Sequence, residues 1–163
     1  MVDQTLIAFL KQHQFDFHIH EHEPVFTVEE GLHLHEVIPG PHCKSLFLRD
    51  HKNNYLLLSL KEDKRVDLKA LATILKVGRL SFGKPEALLA MLKLTPGSVT
   101  PYGLLFDEPK KVAFFLDEDL VQEEVTNFHP MRNDMTLSMP TASFLHFFTL
   151  IEHSPTIVKI PTI

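Results

Sequence analysis

Lys44 is a charged residue in an apolar stretch, and packing alone does not explain its presence there. It opens a strongly apolar stretch and shares parity with Leu46 and Leu48, while Cys43, Ser45 and Phe47 take the other face. If both faces are buried, the ammonium needs a partner or a cleft. A lysine at a strand end can also run its stem along apolar surface and reach solvent, and the sequence leaves both interpretations open.

Two later segments combine polar side chains with stiff backbone. Residues 94–103 contain two glycines, two prolines and three serine or threonine residues, so their N–H groups can be fixed toward an anion or a developing oxyanion. In residues 128–134, His129 and Asn133 can hydrogen-bond polar substrate groups, and Arg132 can meet a phosphate. Either segment alone would be ordinary loop chemistry.

The sequence presents no ready nucleophile. It lacks a G-x-S-x-G elbow, and Cys43, the one cysteine, comes with no evident triad, so we interpret it as buried and inert. A single cysteine excludes an internal disulfide and favours a reducing compartment, from which we expect a cytoplasmic protein.

The eleven histidines raise the question of a metal. His18, His20 and His22 fall on one face of a strand, a pattern that zinc or nickel could use. However, no HExxH helix, cysteine pair or carboxylate at fixed spacing accompanies them. We interpret them as a solvent-facing strip and expect neither a metal nor another cofactor.

The charge distribution keeps a nucleic-acid partner open despite a net charge of −5. Residues 1–43 and 94–163 carry −6 and −5, whereas residues 44–93 carry +6. A local basic patch can contact phosphates on an acidic protein, because salt screens charges beyond roughly 8–10 Å. These lysines and arginines could equally form solvated helix faces.

Short strands alternate with short helices. Periodicity and caps predict helices over about 3–14, 27–37, 67–76, 84–93 and 141–152, and strands over 15–20, 44–49, 55–60, 102–106, 112–116, 124–128 and 135–138. The spacing is not that of regular βαβ units, which favours a mixed α/β (α+β) fold whose sheet could close into a barrel. The N-terminal stretch predicts a helix of the fold and not a signal peptide, and no apolar run approaches the roughly 18 residues that span a bilayer.

Several segments, in this order and spacing, resemble the YbaK/prolyl-tRNA editing family. They are residues 22–27 (HEPVFT, family pattern HPPVFT), 44–50 (KSLFLRD, pattern KxLFLRD), 81–83 (SFG), 97–103 (GSVTPYG, pattern GxxxPxG) and 129–136 (HPMRNDMT). The last is most similar to the branch called PrdX or ProXp-ala, which clears alanine from proline transfer RNA. Glu23 departs from the family's proline.

The resemblance implies a single editing domain over 1–163, with a core from about 4 to 152 and a tail at 153–163. Its fold would be a distorted mixed β-barrel or sheet flanked by helices. It also implies a metal-free deacylase in which a ribose hydroxyl of the substrate helps to activate water. The expected partners are the acceptor end of mischarged tRNA(Pro) and prolyl-tRNA synthetase, and no membrane.

Site roles follow from the same resemblance. Lys44, Gly97 and His129 would be catalytic. The expected substrate-binding residues are Ser98, Val99, Thr100, Pro101, Gly103, Asn133, Phe47 and Val28, with Tyr102 as a further wall of the pocket. Arg49, Lys52, Arg79 and Lys84 would contact transfer RNA. Cys-tRNA(Pro) or another small misacylated residue as substrate, a binding module without activity, and a metal-dependent hydrolase remain alternatives.

Overall fold

The computed structural model describes residues 2–27 and 29–163, with five α-helices, eight strands and three short 3₁₀ helices among them. The α-helices are α1 (Val2–Gln12), α2 (Leu68–Leu75), α3 (Pro85–Leu92), α4 (Glu118–Val121) and α5 (Thr141–Leu150). The strands are β1 (His18–Glu21), β2 (Cys43–Arg49), β3 (Tyr55–Lys61), β4 (Ser81–Phe82), β5 (Val112–Asp117), β6 (Val125–Phe128), β7 (Met135–Pro140) and β8 (Thr156–Val158). The 3₁₀ helices cover Leu32–Glu36, Pro96–Ser98 and Pro101–Phe106.

The strands form two sheets. One is antiparallel, in the order β1-β7-β6, and the other is mixed, in the order β4-β2-β3-β5-β8. In the mixed sheet, the predicted strands over 44–49 and 55–60 are β2 and β3, which form an antiparallel hairpin, while β5 runs parallel to both β3 and β8. An isolated bridge between His42 and Asn127 joins the two sheets. The predicted mixed α/β fold is confirmed, and the start of β2 lies where the sheets meet.

Both faces of the β2–β3 hairpin are buried, as the sequence indicates. Phe47 and Leu57 belong to a core that includes the aromatic face of α5, whereas Leu48 and Leu58 pack in a second core with α2. Each fully buried side chain of this size stabilises the fold by about 1.5–3 kcal/mol. The hairpin is therefore a rigid base for the residues at its ends.

The strand predicted over 102–106 is wrong, because Pro101–Phe106 is a 3₁₀ helix. Pro101 occupies the first helical position, where its fixed φ and missing N–H suit a helix. The Gly103 N–H donates to the Thr100 carbonyl, and Tyr102 is fully buried among the rings of α5. The apolar residues of this segment therefore pack from a tight helical turn and not from a strand.

Smaller differences concern element boundaries near the N-terminus. The first strand begins at His18, later than the predicted residue 15, and the helix predicted over 27–37 is reduced to the 3₁₀ turn Leu32–Glu36. The capping pattern itself is present, because the Glu30 N–H donates to Thr27 Oγ1 and the Phe26 N–H donates to Glu30 Oε2.

Within residues 153–163, expected to be a tail, Thr156–Val158 is a strand of the mixed sheet. Strand β8 extends it beyond β5, and Ile160 is buried in the second core. His153 is buried and its Nε2 donates to Asp107 Oδ2 at 3.0 Å. In the part of the chain that the structure describes, no helix combines the length and apolarity needed to cross a membrane.

Candidate active site

A cleft of about 140 Å³ brings together three segments that are far apart in the sequence. Lys44 comes from the start of β2, Gly97 from the Pro96–Ser98 turn and His129 from the loop after β6. The other lining residues are Val25, Phe26, Thr27, Cys43, Ser45, Glu62, Pro96 and Val99. The structure thus places all three residues expected to be catalytic around one small cavity.

Lys44 is half-buried at the cleft wall. Its Nζ donates to the backbone carbonyl of Lys64, which uses one of the three N–H bonds of the ammonium. Burial lowers the pKa of Lys44, while the negative charges of Glu62 and Asp63 oppose that shift. Lys44 therefore lines the cleft, and its ammonium has one backbone partner.

The Pro96–Ser98 turn forms the opposite wall. The Ser98 N–H donates to the Thr95 carbonyl at 3.0 Å, so it is not directed at a ligand. A Cβ at Gly97 would lie 3.4 Å from Phe26 Cδ1 and 3.5 Å from Asn133 Nδ2. Gly97 therefore keeps open a gap between the Phe26 ring, which is 69% exposed, and the Asn133 amide.

His129 has a defined tautomer in its neutral form. Its Nδ1 lies 2.7 Å from the Met135 carbonyl, and because a carbonyl only accepts, Nδ1 carries the proton. Burial lowers the pKa of His129, and the neighbouring His22, whose ring centroid is 6.1 Å away, lowers it further. At neutral pH the imidazole can therefore present Nε2 as a hydrogen-bond acceptor.

Not every predicted substrate-binding residue lines the cleft. Val99 does, and Asn133 lies beside Gly97. Ser98, Thr100 and Pro101 are buried in the turn that supports the wall. These three residues therefore support the wall of the cleft and do not line it.

Two expected pocket residues pack in the core. Phe47 stacks on Tyr55 with ring centroids 5.3 Å apart, and a Cβ at Gly83 would lie 2.3 Å from its ring. Gly103 fits closely against Leu94, since a Cβ there would come within 2.7 Å of Leu94 Cδ1. Their roles are in packing. Val28 lies outside the described residues.

Several residues that line the cleft have no role predicted from the sequence. Val25, Phe26 and Thr27 fall within the matched segment 22–27, so that motif already pointed to them. Ser45 lies within the matched segment 44–50, and its Oγ is 2.8 Å from Ser59 Oγ. No sequence motif pointed to Glu62. It lines the cleft because it directly follows β3, which ends at Lys61.

Cys43 lines the cleft but is not a plausible nucleophile. Burial raises the pKa of its thiol to about 12, so the reactive thiolate is scarce at neutral pH. A thiol held in this state acts as a small apolar wall. The interpretation of Cys43 as inert agrees with this environment.

The histidine strip forms no metal site among the described residues, where no three His, Cys, Asp or Glu side chains are grouped to hold an ion. His22 has hydrogen-bond partners outside the strip. Its Nδ1 donates to the Glu23 carbonyl, and its Nε2 is 2.9 Å from Thr136 Oγ1. His22 thereby ties residues 22–25 to strand β7.

The four basic residues expected to contact RNA cluster at the opposite end of β2. Arg49 pairs with Ser81 of β4, Lys52 lies in the hairpin turn, and Arg79 and Lys84 flank β4. Lys52, Arg79 and Lys84 are exposed. Arg49 follows Lys44 by five positions along the strand, a distance of about 17 Å.

The fold is shared with a solved structure of a proposed trans-editing enzyme for prolyl tRNA synthetase. The two superpose with a TM-score of 0.74 over 98% of this chain and 96% of that chain, and their sequences are 18% identical. At this identity the likeness shows the fold alone.

Sequence comparison shows the family. Residues 22–147 match the family described as "Aminoacyl-tRNA editing domain". The chain is 37% identical to Prolyl-tRNA synthetase associated domain-containing protein 1 of Xenopus laevis, covering 95% of each chain, and 36% identical to Prolyl-tRNA editing protein ProX of Acetoanaerobium sticklandii, covering 82% of each. The chain belongs to the aminoacyl-tRNA editing family. The predicted resemblance is confirmed, and with it the enzyme class, an aminoacyl-tRNA deacylase.

Proposed function

We propose that this protein acts in trans to hydrolyse alanine from mischarged tRNA(Pro). The observation that carries the proposal is the convergence of Lys44, Gly97 and His129 on one cleft of about 140 Å³. The names of the relatives, which refer to prolyl-tRNA editing and to prolyl-tRNA synthetase, support the choice of transfer RNA. Prolyl-tRNA synthetase is the partner proposed to deliver it, in the cytoplasm.

The size of the site supports a small acyl group. A second, inner pocket of about 20 Å³ shares Val25, Cys43, Glu62 and His129 with the cleft, so it lies at the cleft's inner end. A cavity needs roughly 10–15 Å³ to admit one water molecule, so this pocket accepts a methyl-sized group. The alanine methyl fits there, whereas the ring of proline is too large. Steric exclusion of this kind discriminates more strongly than apolar contact alone.

The proposed chemistry is ester hydrolysis with water as nucleophile. The water oxygen attacks the acyl carbonyl, the bond to the ribose oxygen breaks, and that oxygen leaves with a proton as free hydroxyl, releasing alanine. N–H groups of the Gly97 turn hold the carbonyl as it gains negative charge, and the remaining N–H bonds of Lys44 hold the terminal phosphate–ribose end. His129 Nε2 accepts a hydrogen bond from the ribose hydroxyl that assists the water.

The basic cluster of Arg49, Lys52, Arg79 and Lys84 is proposed to contact the acceptor stem. It lies about 17 Å from the cleft along β2, which suits a helix whose end enters the cleft. Each phosphate contact should steepen the salt dependence of binding, with a slope of roughly 0.7–0.9 per charge. Replacing Arg79 and Lys84 together by alanine should therefore lower the slope by about 1.5, measured as the affinity for the transfer RNA against salt concentration.

A panel of misacylated transfer RNAs tests the substrate directly. Purified protein is incubated with Ala-, Cys-, Ser- and Pro-tRNA(Pro), and release of the amino acid is followed over time. The proposal expects rapid loss of alanine and retention of proline. Faster release of cysteine would replace alanine by the alternative substrate, and binding without any release would identify a non-catalytic module.

Two variants of Lys44 test the assignment of the site. Lys44→Ala and Lys44→Met both remove the ammonium, and Met keeps the unbranched stem, so a difference between them measures packing. Both should lose about 100-fold in deacylation rate, because without the ammonium the terminal ribose is no longer held in place, and a misplacement of about 1 Å can cost that factor. Stability should fall by no more than about 1 kcal/mol, because one hydrogen bond of a half-exposed group is lost. Lys111→Ala, at an exposed position that lines no part of the cleft, serves as control. Wild-type turnover in both variants would refute the assignment.

A further inference from the structure

Glu62 occupies a junction in the site. It lines both the cleft and the inner pocket, together with Val25, Cys43 and His129. Its position is fixed by the sheet, because the Glu62 N–H donates to the His42 carbonyl at 3.0 Å and continues the β2–β3 ladder by one residue. The hairpin therefore holds the backbone of Glu62 at the edge of the site.

The charge of Glu62 reaches the other functional groups of the cleft. It opposes the lowering of the Lys44 pKa, raises the pKa of Cys43 and counteracts the lowering of the His129 pKa. These effects are coulombic and weaken with distance, which agrees with the place of Glu62 beside these three residues in the lining of the cleft. Among the described residues that line the cleft, Glu62 is the one acidic side chain.

An aminoacyl ester brings a positive charge into this cleft. Beside the scissile carbonyl stands an α-ammonium group, which loses much of its hydration when the acyl group enters the cavity. Burying an unpaired charge is unfavourable, and the Lys44 ammonium in the same cleft adds repulsion. Productive binding therefore calls for an anion close to the α-carbon.

We propose that the Glu62 carboxylate binds the α-ammonium of the aminoacyl group, at the junction between the cleft and the inner pocket. This inference rests on the proposed function. Held there, the α-carbon directs its methyl into the inner pocket and its carbonyl toward the Gly97 turn. Glu62 is then a substrate-binding residue that selects α-amino acyl esters over uncharged acyl esters of the same size.

A pair of isosteric substrates tests the inference. Alanyl-tRNA(Pro) and lactyl-tRNA(Pro) differ only in that a hydroxyl replaces the ammonium on the same carbon. Wild-type protein should hydrolyse the alanyl ester faster. Glu62→Gln should lower kcat/KM for the alanyl ester by about 10- to 100-fold, the loss expected for one hydrogen bond between charged groups, and leave the lactyl ester unchanged. The ratio of the two rates cancels any fraction of misfolded variant.

A matched control removes the neighbouring charge. Asp63 is exposed, lines neither cavity and also acts on the Lys44 pKa. Asp63→Asn should therefore preserve the wild-type ratio of alanyl to lactyl hydrolysis. Equal loss on both esters in Glu62→Gln would overturn the inference and assign Glu62 to the attacking water or to the fold, and no loss on the alanyl ester would overturn it as well. If wild-type protein cleaves neither ester, the proposed function fails, and the inference with it.

Discussion

Gly97→Ala is expected to raise the stability of the protein and to lower its deacylation rate. Gly97 is not in the left-handed region, and an added Cβ would make contacts of 3.4 Å with Phe26 Cδ1 and 3.5 Å with Asn133 Nδ2, which are ordinary van der Waals distances. Because the folded backbone accepts alanine, the loss of chain entropy in the unfolded state should stabilise the protein by about 0.4–1 kcal/mol. For a domain of this size the melting temperature should rise by about 1–4 °C.

The same methyl group fills the gap that the substrate needs. It would stand at the wall of a cleft of about 140 Å³, between the Phe26 ring and the Asn133 amide. A displacement of the ester by about 1 Å can lower the rate roughly 100-fold, so kcat/KM on Ala-tRNA(Pro) should fall by about that factor. The assay pairs thermal unfolding with deacylation kinetics of the same preparation.

Gly83→Ala is the matched control for the same chemical change. Its Cβ would lie 2.3 Å from the Phe47 ring, in the core and away from the cleft. This variant should lose stability but keep its activity per folded molecule, the reverse of Gly97→Ala. If Gly97→Ala folds normally and turns over at the wild-type rate, the assignment of the Gly97 turn to the active site is refuted.

Three further outcomes follow from the titratable groups. Burial lowers the pKa of His129 below its ordinary 6.5, so kcat/KM should stay constant as the pH falls through 6.5 and should decline only at lower pH. A pH–rate profile in which kcat/KM already declines above pH 6.5 would contradict a neutral imidazole. For the same group the unfolded state takes up the proton first, so its contribution to unfolding free energy falls below pH 6.5. Since burial raises the pKa of Cys43 to about 12, iodoacetamide at neutral pH should leave the activity intact, and rapid alkylation with inactivation would show a reactive thiolate. His153→Ala removes a donor from buried Asp107 and should lower the free energy of unfolding by about 1–3 kcal/mol in denaturant titrations, with unchanged stability as the contrary result.

Much of the fold could be predicted because local patterns and burial agreed. The β2–β3 hairpin has apolar residues on both faces and a polar turn, and both its faces are buried. Helix α2 begins after Asp67, whose side chain accepts the Ala70 N–H as a cap should. Such elements are specified within a few residues, so tertiary contacts reinforce them and do not alter them.

The predictions of secondary structure that were wrong concern segments in which tertiary contacts decide between local alternatives. Residues 102–106 are a short, mostly apolar run that we predicted to be a strand, but Pro101 and the packing of Tyr102 among the α5 rings make them a 3₁₀ helix. Strand β8 is short and largely exposed, so its pairing depends on the edge that β5 offers and not on its own residues.

The sequence by itself determined which residue types this protein uses and which family it belongs to. Lys44, Gly97 and His129 are separated by more than thirty residues at each step, yet their motifs already marked them. Only the tertiary structure decided which side chains face the ligand, because a cleft wall is a property of packed surfaces and not of spacing. In the folded chain Phe47 and Gly103 pack in the core, and Glu62, one residue beyond a strand, lines both cavities.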